Sequence, residues 1–136
     1  RVFAKLKSKK VFFIFCTTKA GTHRSTIINI VGSIDIKCLH TPGHTPGSQC
    51  FRVADSLVAG DTLFLQGCGR VDLPGGDSEE LFHTLTRRLS KIEDHIILYP
   101  GHNYGGSPSG QLGDVRQSNS YLQIQRLEDW FSIMGR

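Results

Sequence analysis

Residues 39–48 read Leu-His-Thr-Pro-Gly-His-Thr-Pro-Gly-Ser, a turn-rich block in which Pro-Gly occurs twice around a single histidine, His44. Such dipeptides punctuate the chain and stop regular structure. The stretch before it, 33–40 (SIDIKCLH), sets Ile34, Ile36 and Cys38 against Asp35 and Lys37. That alternation predicts a strand with one buried face. His44 therefore stands in a Gly-rich break directly after a strand. The arrangement recurs twice. Asp61 lies in Ala-Gly-Asp-Thr-Leu-Phe (59–64), after the apolar run 56–59, and His102 lies in Tyr-Pro-Gly-His-Asn-Tyr-Gly (99–105), after the apolar run 95–99. A glycine before a functional side chain lets the backbone turn sharply and a ligand come close. A strand end projects that side chain over the sheet edge, where α/β sites form.

Two imidazoles and one carboxylate suit zinc, or non-haem iron with positions open for water or substrate. An open zinc site brings the pKa of its water to about 7 and supplies hydroxide at neutral pH. His23, His83 and His95 lack the Gly-His break and read as surface or satisfied core residues. His40 ends a strand without a glycine before it.

Around these breaks the chain reads as alternating strands and helices. Strands are expected at 11–16 (VFFIFC), 25–31, 33–40, 95–99 and in a hairpin with arms 49–53 and 56–59 around Ala54-Asp55, with 62–66 continuing apolar. A loop at 73–77 ends in a helix start, where Asp77 and Glu80 have capping-box spacing. Leu81, Phe82, Leu85, Leu89 and Ile92 then fall on one helical stripe, with basic residues near its C-terminal end. Residues 104–119, rich in Gly and Ser, read as mostly loop. Asn119 or Ser120 is placed to cap a last helix with Ile124, Leu127, Phe131 and Met134 inward. The order of elements is that of a layered α/β protein.

The chain has 136 residues, the size of one small domain. Its net charge of +4 is unevenly spread: residues 1–30 carry seven basic and no acidic side chains, whereas 31–136 carry nine basic and twelve acidic, a net of −3. The basic lead-in reads as a solvated edge, since no aromatic platform for bases accompanies it. Neither a nucleic-acid nor a membrane partner is expected, and no apolar run reaches the length of a membrane span. The four cysteines, at 16, 38, 50 and 68, form no C-x-x-C pair and suggest reduced thiols in a cytoplasmic setting. The first residue is not Met, so the chain is processed, excised or a piece of something longer.

The quoted stretches resemble the metallo-β-lactamase superfamily, and within it the glyoxalase II-like hydrolases. The blocks 39–48, 59–70 (AGDTLFLQGCGR) and 98–105 (LYPGHNYG) match that family's later motifs in order and spacing. The loop 72–77 (DLPGGD) and Asn-Ser-Tyr-Leu at 119–122 are similar to that branch too. The resemblance covers about 31–134. It implies an α/β fold, namely the C-terminal half of an αββα sandwich: a mixed sheet flanked by helices over 31–136, preceded by a basic lead-in, 1–30, that matches nothing in the family. By the same resemblance His44 binds a first metal, His102 a second, and Asp61 bridges both and orients a metal-bound hydroxide. The complete family domain holds up to two metals, zinc or iron. Arg70 falls where relatives with a glutathione thioester substrate place a basic side chain near its carboxylate.

One departure stands out. The family's first motif, H-x-H-x-D-H, is absent from residues 1–43, where Thr22-His23-Arg24 offers one histidine and no acid. Three remaining ligands leave each ion of a dinuclear pair with two, and a mononuclear His44–Asp61–His102 site requires the two histidines to approach closely. The resemblance therefore implies a metal-dependent hydrolase of a small thioester or ester, with this chain alone inactive or impaired. A persulfide dioxygenase-like mononuclear iron enzyme is the alternative, since Gly-Arg-Val-Asp-Leu (69–73) is similar to a loop of that group. A non-catalytic degenerate half-domain is the third. Half a sandwich would also expose an apolar sheet face, favouring self-association or a complementing chain.

Overall fold

The computed structural model describes residues 26–31 and 34–135. Six strands form one sheet in the order β1-β2-β3-β4-β5-β6. They are β1 (Thr26–Val31), β2 (Ile34–His40), β3 (Gln49–Val53), β4 (Ser56–Gly60), β5 (Ile97–Pro100) and β6 (Gly110–Gln111). All neighbours are antiparallel except β4 and β5, so the sheet is mixed, as the resemblance implies. The strand expected at 11–16 and most of the basic lead-in lie outside the described residues.

The register sets two faces, and the alternating Ile36 and Cys38 of β2 fall on the one away from the core cluster. Leu57 and Leu98 are partners across β4 and β5 and both are fully buried. They join Cys50 and Ala59 on the face that packs under the helices. The opposite row runs Cys38, Phe51, Val58, Tyr99 across four strands. It lies outside that core cluster, and Phe51 is exposed.

Helix α1 (Ser78–His83) begins where expected, with the Asp77 carboxylate accepting from the Glu80 N–H at 2.9 Å. The second arm of the capping box is not made. The Asp77 N–H donates instead to the Gly43 carbonyl at 2.8 Å, and Glu80 pairs with Arg88. The apolar stripe is buried throughout, from Leu81 to Ile92, but the helix is not continuous. It widens into a π-turn at Thr84–Arg88 and tightens into a 3-10 turn at Leu89–Lys91. Side-chain hydroxyls account for the change: Thr84 donates to the Pro42 carbonyl and Thr86 back to Phe82, each at 2.7 Å, drawing the turn off the regular ladder.

The 104–119 segment departs from its expected loop. It supplies β6 and a short helix α2 (Leu112–Ser118), whose Leu112 and Val115 are buried. Gly and Ser composition hid two core contacts that outweigh weak local propensity. Asn119 does act as a cap, but of the 3-10 turn Ser120–Gln123, whereas the last helix α3 (Leu127–Met134) starts later. Its deepest residue is Trp130, fully buried against Phe82 at 5.8 Å between ring centroids. The Trp130 Nε1–H donates to the Ser78 carbonyl at 2.8 Å, tying α3 to the start of α1.

Candidate metal centre

Strand direction brings the three candidate ligands together. Because β2 and β4 are both antiparallel to β3, and β4 is parallel to β5, the strands β2, β4 and β5 run the same way. Their C-terminal ends share one sheet edge. His44 follows β2, Asp61 follows β4 and His102 follows β5.

Asp61 is the centre of the group. Its Oδ2 lies 3.8 Å from His44 Nε2 and its Oδ1 lies 3.2 Å from His102 Nε2. His44 is further held on its other edge, where Nδ1–H donates to the Arg70 carbonyl at 2.8 Å. That bond fixes the tautomer and leaves the Nε2 lone pair facing the carboxylate, as a metal-ligating imidazole requires.

Glycines permit this closeness. Gly60 turns with φ +52°, in the left-handed region. A Cβ at position 101 would stand 2.8 Å from Asp61 Oδ1 and 2.9 Å from the Gly60 carbonyl carbon. A Cβ at position 69 would strike the Asp61 carbonyl oxygen and come within 2.9 Å of His44 Cβ.

The donor set fits a metal in part. Ligands of a tetrahedral zinc, bound at about 2.0–2.2 Å, lie roughly 3.4 Å apart, and the two His–Asp separations bracket that value. The imidazoles address different oxygens, however, and among the described residues no group of three His, Cys, Asp or Glu side chains is arranged to hold one ion. Each Asp61 oxygen thus faces a single imidazole, and neither His–Asp pair alone reaches the three protein ligands of a catalytic zinc.

The Arg70 guanidinium is engaged by Asp72, with Nε to Oδ1 at 2.6 Å and Nη2 to Oδ2 at 2.5 Å, and both side chains are exposed. The hydrogen bond from Arg70 holds the Asp72 carboxyl at about 2, below the usual carboxylate range. Beside His102 an open cleft of about 340 Å³ is bounded by Phe64, Cys68, Tyr104 and Tyr121. Phe64 and Tyr104 meet edge to face at 5.1 Å, and Tyr104 is 73% exposed. Burial pushes the Cys68 thiol up to about 12, which keeps it protonated and unreactive at neutral pH.

Two threonines beside the centre escaped sequence reasoning, and Asn119 was read as a cap and in a family-like stretch without its partners. Thr41 and Thr62 are buried and 3.2 Å apart through their hydroxyls, and Thr41 also meets the Cys50 thiol at 3.4 Å. Asn119 is fully buried and donates to the Phe64 and Gly67 carbonyls. The signal for the threonines was their place beside His44 and Asp61 in the two motifs. His40 has a structural part, its Nε2 bonding the Pro46 carbonyl at 2.8 Å.

A family model described as the metallo-beta-lactamase superfamily matches residues 23–102, more than half of the chain. The chain belongs to the metallo-β-lactamase superfamily. It is 40% identical over 106 residues to the probable polyketide biosynthesis zinc-dependent hydrolase PksB of Bacillus subtilis (strain 168), covering 78% of this chain and 47% of that protein. It is 31% identical over 106 residues to the human mitochondrial persulfide dioxygenase ETHE1, covering 76% of this chain and 41% of that one. Among solved structures, ETHE1 from Myxococcus xanthus superposes with a TM-score of 0.76 at 28% identity, over 88% of this chain and 52% of that chain. The chain thus spans about half the length of the curated superfamily relatives it matches, and its α/β fold is that of metallo-β-lactamase proteins. No helix among the described residues is long and apolar enough to cross a membrane.

Proposed function

We propose that this chain carries the C-terminal ligands of a glyoxalase II-like metal-dependent hydrolase acting on a small thioester or ester. The carrying observation is the Asp61 carboxylate, each of whose oxygens is faced by a different imidazole. In this reading His44 would hold one ion, His102 the other, and Asp61 would be shared between them. The H-x-H-x-D-H donors of the family are absent from residues 1–43, and the chain spans about half the length of the relatives it matches.

A bound metal supplies Lewis acidity that polarises the substrate carbonyl and acidifies a water at neutral pH. Asp61, placed between the two imidazoles, would orient that water. The Arg70 side chain offers a cation to a substrate carboxylate once Asp72 releases it. Phe64 and Tyr104 give the apolar part of the substrate a wall beside His102.

The likeness to the two ETHE1 proteins favours a second reading, a persulfide dioxygenase-like iron enzyme. Plasma mass spectrometry of the purified chain, with His44→Ala as control, separates the two. About one or more zinc per chain, lost in the variant and accompanied by thioester cleavage, supports the hydrolase. Iron with oxygen consumption on a glutathione persulfide supports the second. Metal near zero in a folded chain overturns a self-sufficient centre and leaves a non-catalytic half-domain.

A further inference from the structure

Residues 61–70 form a small hairpin that runs from one ligand to the support of another. It leaves the sheet at Asp61, and Leu63 bridges Cys68. It turns where the Phe64 N–H donates to the Gly67 carbonyl at 2.9 Å and returns with the Gly69 N–H on the Thr62 carbonyl at 3.3 Å. Its last two residues form the shelf behind His44: Gly69 packs against the imidazole's Cβ, and Arg70 presents the carbonyl that His44 Nδ1–H meets.

The tip of this hairpin is closed from the far end of the chain. Asn119 is 0% exposed, and its Nδ2 donates to the Phe64 carbonyl at 3.1 Å and to the Gly67 carbonyl at 3.0 Å. Its Oδ1 accepts from the Tyr121 N–H at 3.1 Å, its own N–H donates to Val115 at 2.8 Å and its carbonyl accepts from Leu122 at 3.1 Å. Every polar group of this buried side chain and its backbone is used. Such a fully satisfied network specifies one arrangement. A capping role needs only the bond to Tyr121. The two bonds into the hairpin are additional, and their direction is toward the ligand loop.

We propose that Asn119 is a positioning residue for the candidate metal centre. Its carboxamide clasps the hairpin tip, which sets the Arg70 carbonyl against His44 Nδ1 and so aims His44 Nε2 at Asp61. The proposal rests on the metal reading above. Outer contacts that orient a ligating histidine typically change metal affinity by about 10–100-fold when removed.

The test uses the full chain, metal-free, with its histidine nitrogens read by long-range proton–nitrogen NMR. Wild type is expected to show His44 as the Nδ1–H tautomer. Asn119→Ala should give a mixture of tautomers and a zinc affinity lower by roughly 10-fold or more. Leu112→Ala, which opens the core beside α2, should lose stability yet keep the wild-type tautomer and affinity. If Asn119→Ala does not fold, the isosteric Asn119→Asp, which sets a carboxylate against two carbonyls, is read the same way. In wild type, saturating zinc should also slow hydrogen exchange at the Phe64 and Tyr121 amides, by linkage. A folded Asn119 variant with an unchanged His44 tautomer overturns the proposal, as does zinc binding that leaves those amides unaffected. Failure of wild type to bind zinc counts against the metal reading alone, because the tautomer comparison needs no metal.

Discussion

Thr41 Oγ1 and Thr62 Oγ1 lie 3.2 Å apart in a site closed to solvent, three residues before His44 and one after Asp61. The pair joins the loop that carries His44 to the loop that carries Asp61. Thr62→Val removes one partner and leaves Thr41 with only the weaker Cys50 thiol, so a loss of about 1 kcal/mol in urea unfolding is expected. Changing both to Val should cost less than the sum of the two single changes, by roughly 0.5 kcal/mol or more.

Gly101 lies where a side chain would crowd both the Asp61 carboxylate and the Gly60 backbone. Its φ needs no glycine, but an added Cβ meets Asp61 Oδ1 at 2.8 Å. Gly101→Ala is expected to displace the carboxylate and lower metal affinity by about 10-fold or more, on the scale of lost ligand-orienting contacts. A calorimetric titration with zinc checks it. Unchanged affinity would mean that Asp61 is not held by this contact.

The chain reads in its sequence up to a definite limit. His44, Asp61 and His102 were legible because each follows a short apolar strand and a glycine, and parallel strand ends must share an edge. Asn119 was legible as a cap and in the family-like Asn-Ser-Tyr-Leu stretch, but nothing local to 119 points to the Phe64 and Gly67 carbonyls. The π-turn at Thr84–Arg88 was hidden for the same reason: it depends on a hydroxyl reaching Pro42, forty-two residues away. Trp130 fell between the positions assigned inward on the last helix, because the stripe was drawn from Ile124 while the helix begins at Leu127. Long-range partners, not periodicity, decided each of these.

Trp130 is the largest fully buried side chain and the main bond between α3 and α1. Trp130→Ala should cost about 3–5 kcal/mol, a large share of the stability of any domain of this size. Trp130→Phe keeps much of the volume but loses the indole N–H bond to Ser78, so a smaller loss of about 1 kcal/mol is expected. Thermal unfolding followed by circular dichroism distinguishes the two.

The Arg70–Asp72 pair makes a prediction in acid. The Asp72 carboxyl titrates at about 2 because Arg70 donates to its charged form. A group with a depressed folded pKa stabilises the fold fully above its unfolded value near 3.8, and that contribution disappears as the pH falls through 2. Carbon-detected NMR of the Asp72 carboxyl should show the low midpoint, and Arg70→Ala should return it toward the ordinary range. An unchanged midpoint in Arg70→Ala would assign the shift elsewhere.

The parallel pairing of β4 with β5 carries a kinetic consequence. Ser56 and Ile97 are partners across a crossover that holds α1, its π-turn and the hairpin 61–70. Bringing such distant strands together requires a long loop to close before any pairing contact rewards it. The antiparallel meander from β1 to β4 has no such delay. Asp61 belongs to the early part and His102 to the late one, so the shared carboxylate gains its second imidazole near the end of folding. Under the proposed metal reading, zinc uptake during refolding is expected to follow closure of the crossover, not formation of the first strands.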